Sequence, residues 1–208
     1  MKISYIINTA ASDPWVHDRR NMHRSAGYAS RHDLLTQRVL PAAVKQGFDE
    51  IIVAGCFEKG DGYQYVPVPP RYRDRRDALV QREMGAKYAT GDILVFGHDD
   101  HALATDFHHT LKWRLEDAAS WDLLIPRRIH GVTGTTLNNG LEQPPRVSYM
   151  GGHVLVMKRW LWARVPWTSI DSEWWDASLT RIWKEAGGKL VWADDLVHVD
   201  VEAAANEI

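Results

Sequence analysis

The fold is decided by a hydrophobic run that passes directly into charged residues: Ile93-Leu94-Val95-Phe96-Gly97-His98-Asp99-Asp100. Gly91 precedes the run, and its apolar residues are typical of a buried strand. His101 follows, so the strand leads into four consecutive side chains that can bind a metal. Adjacent carboxylates repel each other, so a divalent cation or a cationic partner would stabilise this arrangement.

Several chemistries fit these four residues. Carboxylate oxygens with one or two imidazoles favour Mn²⁺ or Mg²⁺ holding a diphosphate over a thiolate-rich structural zinc site. Zinc itself stays open because of the histidines. The structural alternative is a solvated turn in which the aspartates cap a helix.

Short apolar runs alternate with helical patterns along the chain. This alternation predicts an α/β sheet whose functional groups gather at the carboxyl ends of the strands. A core of this size needs no disulfide or metal, so we expect one domain over residues 1–208. The predicted strands are 3–7, 50–54, 92–96, 123–126, 147–157, 189–192 and 196–199, and the predicted helices are 33–45, 74–88, 104–119 and 174–186.

Composition excludes several classes of protein. The 25 Lys and Arg residues nearly balance the 27 Asp and Glu residues, so the overall charge of -2 does not indicate a nucleic-acid or membrane-surface binder. The apolar stretch at the N-terminus is too short to span a membrane. Cys56 is the single cysteine and cannot form an intramolecular disulfide, which fits a reducing compartment. We therefore expect a cytoplasmic protein without a transmembrane segment.

Three consecutive segments carry a family resemblance: Gln81-Arg82-Glu83-Met84-Gly85, Ala89-Thr90-Gly91-Asp92, and the run 93–100. Their order and spacing resemble those of the nucleotide-diphospho-sugar glycosyltransferases of the GT-A fold, especially the family-2-like enzymes, although Glu83 stands where Asn is usual. The resemblance implies a single-domain, Rossmann-like α/β architecture with a mixed, mostly parallel sheet flanked by helices. It also implies a nucleotide-sugar-binding part at about 1–103 and an acceptor and catalytic part at about 104–200.

The Asp-x-Asp metal motif of this family is altered here. His98 stands where the first Asp is usual, so the motif is either His98-x-Asp100 or, shifted by one residue, Asp99-x-His101. His198 resembles the late histidine that completes the metal site in several such enzymes, although a lone His in an apolar strand can also be purely structural. The resemblance thus implies that Mn²⁺ or Mg²⁺ is held by Asp100, His98, His101 and His198.

The resemblance also assigns residues to the nucleotide-sugar donor. The first strand turns into its loop where the nucleobase of the family sits, and an acid is expected after the second strand. The guanidinium groups of Arg76 and Arg82 could pair with phosphate or line the wall of the site; the alternative is that they form surface ion pairs with nearby acidic residues. A glycine pair on the acceptor side lets substrate approach the backbone, unless it forms a β-bulge. The residues so assigned are Asn8, Thr9, Ala10, Glu58, Arg76, Arg82, His98, Asp99, Gly151 and Gly152.

An acidic segment before the last predicted helix resembles the part of the family that supplies the catalytic base. Direct register places Glu173 on the family's Glu and Trp174 on the usual base Asp, so Glu173 or Asp176 must serve as the base if the enzyme inverts. Acidic residues at a helix start also satisfy free backbone N–H groups, and capping alone explains one of them. A carboxylate base favours inversion at the anomeric carbon.

The resulting hypothesis is a metal-dependent glycosyltransferase that moves a sugar from a nucleotide-diphosphate donor to an acceptor hydroxyl. The basic residues at 19–20, 71–76 and 127–128 give a second hypothesis, transfer to a hydroxylated base in DNA. A nucleotidyltransferase and a non-catalytic nucleotide-sugar-binding module are the further alternatives. The sugar, the nucleobase, the acceptor and the oligomeric state stay open.

Overall fold

The computed structural model describes residues 1–9, 31–69, 75–131, 133–137, 153–169 and 175–200. Within these ranges, a nine-stranded sheet forms the centre of the molecule in the order β3-β2-β1-β4-β8-β6-β9-β5, with β7 paired to β6 off this path. The strands are β1 (Ile3–Thr9), β2 (Glu50–Gly55), β3 (Gln64–Pro67), β4 (Ile93–His98), β5 (His101–Leu103), β6 (Leu123–His130), β7 (Thr136–Leu137), β8 (Leu155–Lys158) and β9 (Leu190–Asp200).

Strands β1 to β4 pair in parallel. β1 lies between β2 and β4, so Asn8 is level with Ala54 on one side and with His98 on the other. Every residue of β1 is buried. Helices cover both faces of this part of the sheet, which is why both faces of the strand are buried and its apolar residues do not simply alternate with polar ones.

Strands β5 to β9 form the mixed half of the sheet. β8 is antiparallel to β4 and β6, whereas β9 is parallel to β6 and antiparallel to β5. The pairing of β6 with β9 shifts register between Pro126 and Arg127. This shift lets the two runs predicted as separate strands, 189–192 and 196–199, form one strand that ends at Asp200.

Helices pack on both faces of the sheet. Tyr5 and Ile7 of β1 point into one hydrophobic cluster, whereas Ile6 points into the other. No helix of the described ranges has the length and hydrophobicity needed to cross a lipid bilayer. The helices are α1 (Arg31–Leu34), α2 (Leu40–Lys45), α3 (Arg75–Tyr88), α4 (Phe107–Arg114), α5 (Arg159–Arg164) and α6 (Trp175–Glu185); a π-helical turn (Leu35–Val39) joins α1 to α2, and Leu115–Ser120 and Trp167–Ser169 are 3₁₀ turns.

Helix α3 packs directly on β1 because Gly85 faces the strand. A Cβ atom at Gly85 would overlap the side chain of Ile6 and would lie 3.3 Å from the Cβ of Ala54. Only glycine permits this approach. The close packing brings Arg82, one turn earlier in α3, to the end of β1.

The predicted α/β architecture is confirmed. The sheet is mixed, flanked by helices, and pairs more of its described residues in parallel than in antiparallel register. The predicted helix 104–119 is instead α4 followed by a 3₁₀ turn. The sequence does not predict β3, β5 or β7, each of which has four residues or fewer.

Candidate metal and nucleotide site

The candidate site lies at the carboxyl ends of β1 and β4. Asn8 and Thr9 end β1, and His98, which ends β4, pairs in register with Asn8. The sheet order reverses at β1, because β2 and β3 extend to one side of it and β4 lies on the other. Such reversal points are where open α/β sheets bind ligands. The fold therefore brings Asn8 and Thr9, two of the residues predicted to bind nucleotide, next to the acidic turn after β4.

Asp99 is buried and held from several directions. Thr9 Oγ1 donates to Oδ2 of Asp99 at 2.9 Å, and Arg31 Nη1 donates to Oδ1. His98 Nδ1 lies 2.8 Å from the same Oδ1. Burial alone would raise the pKa of Asp99, but the charges of Arg31 and His98 outweigh it and hold the pKa well below its ordinary value. Asp99 is therefore ionised at neutral pH.

Asp100 joins the two histidines that flank the acidic pair. Its Oδ1 lies 2.8 Å from His98 Nδ1 and 2.6 Å from His101 Nδ1, and its Oδ2 lies 2.6 Å from Arg31 Nη1. Burial opposes ionisation of Asp100, yet Arg31 and the two imidazoles hold the pKa of the carboxyl well below its ordinary value.

His98, Asp100 and His101 form the candidate metal group. One potential ligand atom from each lies within 4.8 Å of those from the other two. A carboxylate oxygen with two imidazole nitrogens is a donor set that suits Mn²⁺, and the residues present therefore fit a divalent cation. His98 is partly exposed; burial would lower the pKa of its imidazole, but the neighbouring Asp100 and Asp99 carboxylates raise it.

Two more imidazoles extend this group toward β9. The ring of His101 stacks on His153 at 4.7 Å between centroids and lies 5.1 Å from the ring of His198. His198 is completely buried, and neither of its ring nitrogens has a hydrogen-bond partner within the described chain. Burial lowers the pKa of His153 to about 2 and lowers that of His198 well below its ordinary value, so both rings are neutral. Neutral imidazole is the form that ligates metals.

Arg128 and Asp200 close the far side of the histidine cluster. Arg128 Nη1 lies 2.9 Å from His153 Nε2, and its Nη2 donates to Asp200 Oδ2. The same carboxylate oxygen lies 4.0 Å from His101 Nε2. His101 therefore faces Asp100 through Nδ1 and Asp200 through Nε2.

Arg82 braces the edge of the site. Its Nε donates to Asn8 Oδ1 at 2.8 Å, its Nη2 donates to the His153 carbonyl at 3.0 Å, and its guanidinium lies 5.0 Å from the centre of the Trp167 ring. Burial lowers the pKa of Arg82 to about 9, which leaves it charged at neutral pH. Of the two contacts predicted for this arginine, the geometry favours the site wall over phosphate, since the side chain is only 1% exposed.

Glu83, which departs from the family pattern, has a structural role. Its Oε2 accepts hydrogen bonds from Trp162 Nε1 at 3.1 Å and from the backbone N–H of Trp167 at 3.0 Å. Lys87 lies 3.4 Å from the other carboxylate oxygen. The residue ties α3 to α5 and to the segment that follows α5.

Other predicted donor and catalytic residues lie at the margin of this cluster or outside the described residues. Glu58 follows β2, is largely exposed and lies 3.2 Å from His32 Nε2. Arg76 is half-buried in the first turn of α3. The structure does not describe Ala10, Gly151, Gly152, Glu173 or the side chain of Asp176.

The basic residues that suggested a nucleic-acid acceptor do not form one described surface. Arg128 is mostly buried and pairs with Asp200 inside the site, whereas Arg127 is exposed. Residues 19–20 and 71–74 lie outside the described ranges.

Sequence reasoning missed four site residues: Arg31, Arg128, His153 and Asp200. Arg31 precedes the predicted helix at 33, and its carboxylate partners are nearly 70 residues away. His153 directly follows Gly151 and Gly152, and the segment was interpreted from these glycines alone, as a place where substrate approaches the backbone. The signal for Asp200 was its position two residues after His198, since alternate residues of a strand share a face.

Solved structures share this fold at low sequence identity. TarS from S. aureus, a GT-A family glycosyltransferase, superposes with a TM-score of 0.63 at 13% identity over 96% of this chain and 36% of TarS. Residues 1–349 of TarS in complex with UDP-GlcNAc give a TM-score of 0.58 at 14% identity, over 96% of this chain and 58% of that one. A197 from STIV gives 0.53 at 12% identity, over 94% of this chain and 83% of A197.

These comparisons show a GT-A-like fold, as the sequence resemblance implied. The chain spans about a third of the length of TarS. No protein-family model matches the sequence, and no curated protein matches it either.

Proposed function

We propose that this chain is a divalent-cation-dependent glycosyltransferase that moves a sugar from a nucleotide-diphosphate donor to an acceptor hydroxyl, with inversion. The observation that carries the proposal is the convergence of His98, Asp100 and His101 at the end of β4, level with Asn8 and Thr9 at the end of β1. In a GT-A-like sheet, this juxtaposition provides a cation site beside a nucleotide site.

The donor would bind along the ends of β1, β2 and β4. In this proposal Asn8, Thr9 and Ala10 face the nucleobase and ribose, Glu58 lies at the outer margin, and Arg76 contacts phosphate. TarS has been solved with UDP-GlcNAc and with UDP, which supports a uridine nucleotide as the first donor to test. We assign donor binding to about residues 1–103 and acceptor binding to about 104–200 of one domain.

The cation, Mn²⁺ or Mg²⁺, would be held by Asp100, His98 and His101, with His198 as a further ligand. When bound, it supplies positive charge that offsets the charge growing on the departing diphosphate. Support for His198 comes from its two unpartnered, buried ring nitrogens within the described chain. Asp99 would act indirectly: its hydrogen bonds to Thr9 and Arg31 hold the turn that carries Asp100.

The chemical step would be a single displacement. The acceptor oxygen attacks the anomeric carbon, the bond from that carbon to the diphosphate oxygen breaks, and the acceptor proton passes to a carboxylate. We assign this base to Glu173 or Asp176 and place the acceptor against Gly151 and Gly152.

The test is nucleoside diphosphate release from UDP-, GDP-, dTDP- and CDP-sugars with Mn²⁺, with Mg²⁺ and with EDTA. We expect cation-dependent release that falls by at least about a hundredfold in Asp100→Asn. Asp106→Asn is the matched control, because Asp106 is exposed at the start of α4 and carries the same charge. Release should be unchanged in that variant.

Two results would contradict the proposal. Binding of a nucleotide-sugar that stays intact after long incubation would favour a non-catalytic binding module. Pyrophosphate release from a nucleoside triphosphate and a sugar phosphate, without cleavage of any nucleotide-sugar, would favour a nucleotidyltransferase.

A further inference from the structure

Arg31 contacts two of the three residues of the candidate metal group, Asp100 and His98. Its Nη1 donates to Asp99 Oδ1, lies 2.6 Å from Asp100 Oδ2 and lies 3.2 Å from His98 Nδ1. Two members of the candidate metal group, Asp100 and His98, are thus in direct contact with one guanidinium nitrogen. An ion bound to Asp100 Oδ2 and His98 Nδ1 would overlap Arg31 Nη1.

Burial makes this contact strong. Arg31 is 7% exposed, Asp99 is 1% exposed and Asp100 is 7% exposed. Charges in such surroundings interact far more strongly than in water, and removing Arg31 would leave this carboxylate pair without that close counter-charge. The same physics makes a guanidinium and a divalent cation repel each other if both stay at the carboxylates.

We propose that Arg31 is a resident counter-charge that competes with the divalent cation for Asp100 and His98, so that cation binding displaces the guanidinium from Asp100. This inference rests on the cation site of the proposed function. In the cation-free protein, Arg31 keeps the acidic turn folded. When the cation enters, it takes over that neutralisation, and the Arg31–Asp100 contact breaks.

The primary experiment is calorimetric titration of Mn²⁺ alone into the full chain, its Arg31→Gln variant and its Arg38→Gln variant. Arg38 is exposed in the π-helical turn of the same helical segment, so its variant removes an equal charge without touching the carboxylates. We expect Arg31→Gln to bind Mn²⁺ at least about tenfold more tightly than the wild type, since no guanidinium has to be displaced. Arg38→Gln should stay within about twofold of the wild type, because an exposed charge is largely screened. Mn²⁺ binding by Arg31→Gln that is equal to or weaker than that of Arg38→Gln would overturn the proposal.

A second measurement uses the wild type, in case Arg31→Gln does not fold without a cation. Arginine side-chain ¹⁵N resonances are followed during Mg²⁺ addition, with Arg31→Lys to assign the Arg31 signal. We expect that signal to shift as Mg²⁺ saturates the site, whereas an unchanged signal at saturation would overturn the displacement. Both readouts report binding of the metal alone. A failure of nucleotide-sugar turnover would therefore contradict the proposed function without changing either of these results.

Discussion

Arg82 Nε donates a 2.8 Å hydrogen bond to Asn8 Oδ1, and this bond joins helix α3 to the end of the central strand β1. Asn8 is also level with His98 on the neighbouring strand. The guanidinium therefore fixes the strand end from which the candidate nucleotide site begins.

Replacing this guanidinium should destabilise the whole chain. Arg82→Met keeps most of the side-chain volume but leaves the Asn8 amide oxygen and the His153 carbonyl without their donor. We expect a loss of about 2 to 4 kcal/mol in the free energy of unfolding, measured by urea denaturation, because buried acceptors lose charged partners. Arg38→Met, on an exposed side chain, should cost less than about 0.5 kcal/mol. A comparable cost in the two variants would contradict the role assigned to Arg82.

Asp122 joins the starts of β6 and β9 to the end of β8 in the mixed half of the sheet. Its Oδ2 accepts from the Lys189 backbone N–H at 2.9 Å, and its Oδ1 accepts from Lys158 Nζ at 3.0 Å and from Trp160 Nε1 at 3.3 Å. Burial would raise the pKa of Asp122, but these hydrogen bonds and the Lys158 charge outweigh it and lower the pKa.

The Asp122 carboxylate should make the free energy of unfolding increase as the pH rises. The folded-state pKa lies below the unfolded value of 3.8, so the stabilisation is present above that pH and is lost as the pH falls through the folded-state pKa. We expect Asp122→Asn to cost about 1 to 2 kcal/mol at pH 7, and the difference from wild type should shrink at acid pH. Urea denaturation across this pH range is the measurement, with exposed Asp194→Asn as the control. A difference that persists undiminished at acid pH would refute the assignment.

His198 should affect metal binding and cation-free stability in opposite directions. His198→Leu removes two buried ring nitrogens that have no partner in the described chain. We expect the melting temperature in EDTA to be unchanged or higher, because an unsatisfied buried polar group costs about 1 to 3 kcal/mol. Mn²⁺ affinity, measured by calorimetry, should fall by about tenfold or more. Unchanged Mn²⁺ affinity would remove His198 from the ligand set.

Replacing the catalytic base should lower turnover without changing the affinity for the cation. One of Glu173→Gln and Asp176→Asn should lower kcat by about a hundredfold to ten-thousandfold, since that is the usual contribution of a positioned base. Mn²⁺ affinity should be unchanged in both variants. If the wild-type enzyme turns over and neither substitution changes its rate, Glu173 and Asp176 are not the base, and the retaining alternative gains support.

The sequence predicts the parts of the fold that rest on long hydrophobic patterns. β1, β2 and β4 can be predicted because helices cover both of their faces, so each strand carries a short apolar run in the sequence. The acidic turn can be predicted from the sequence because it directly follows β4. β5 is not visible, since its three residues, His101–Leu103, exist as a strand only through their pairing with β9.

The parts of the site that sequence reasoning missed depend on distant contacts. Arg31 precedes a predicted helix, and no local pattern connects it with Asp99. Asp200 follows an apolar run, and its contact with Arg128 depends on the shifted register of β6 and β9. The packing of α1 against the acidic turn creates the first contact, and strand pairing creates the second.

The pairing of β5 with β9 also orders the assembly of the protein. β5 lies about 100 residues before its partner along the chain, so its pairing closes a long loop and adds to the entropic cost of folding. His101 can meet His198 and Asp200 only after that closure. During synthesis, Asp99 and Asp100 are made before His153, His198 and Asp200, which complete their surroundings. Full affinity for a cation would therefore be acquired late, after residues 190–200 have joined the sheet.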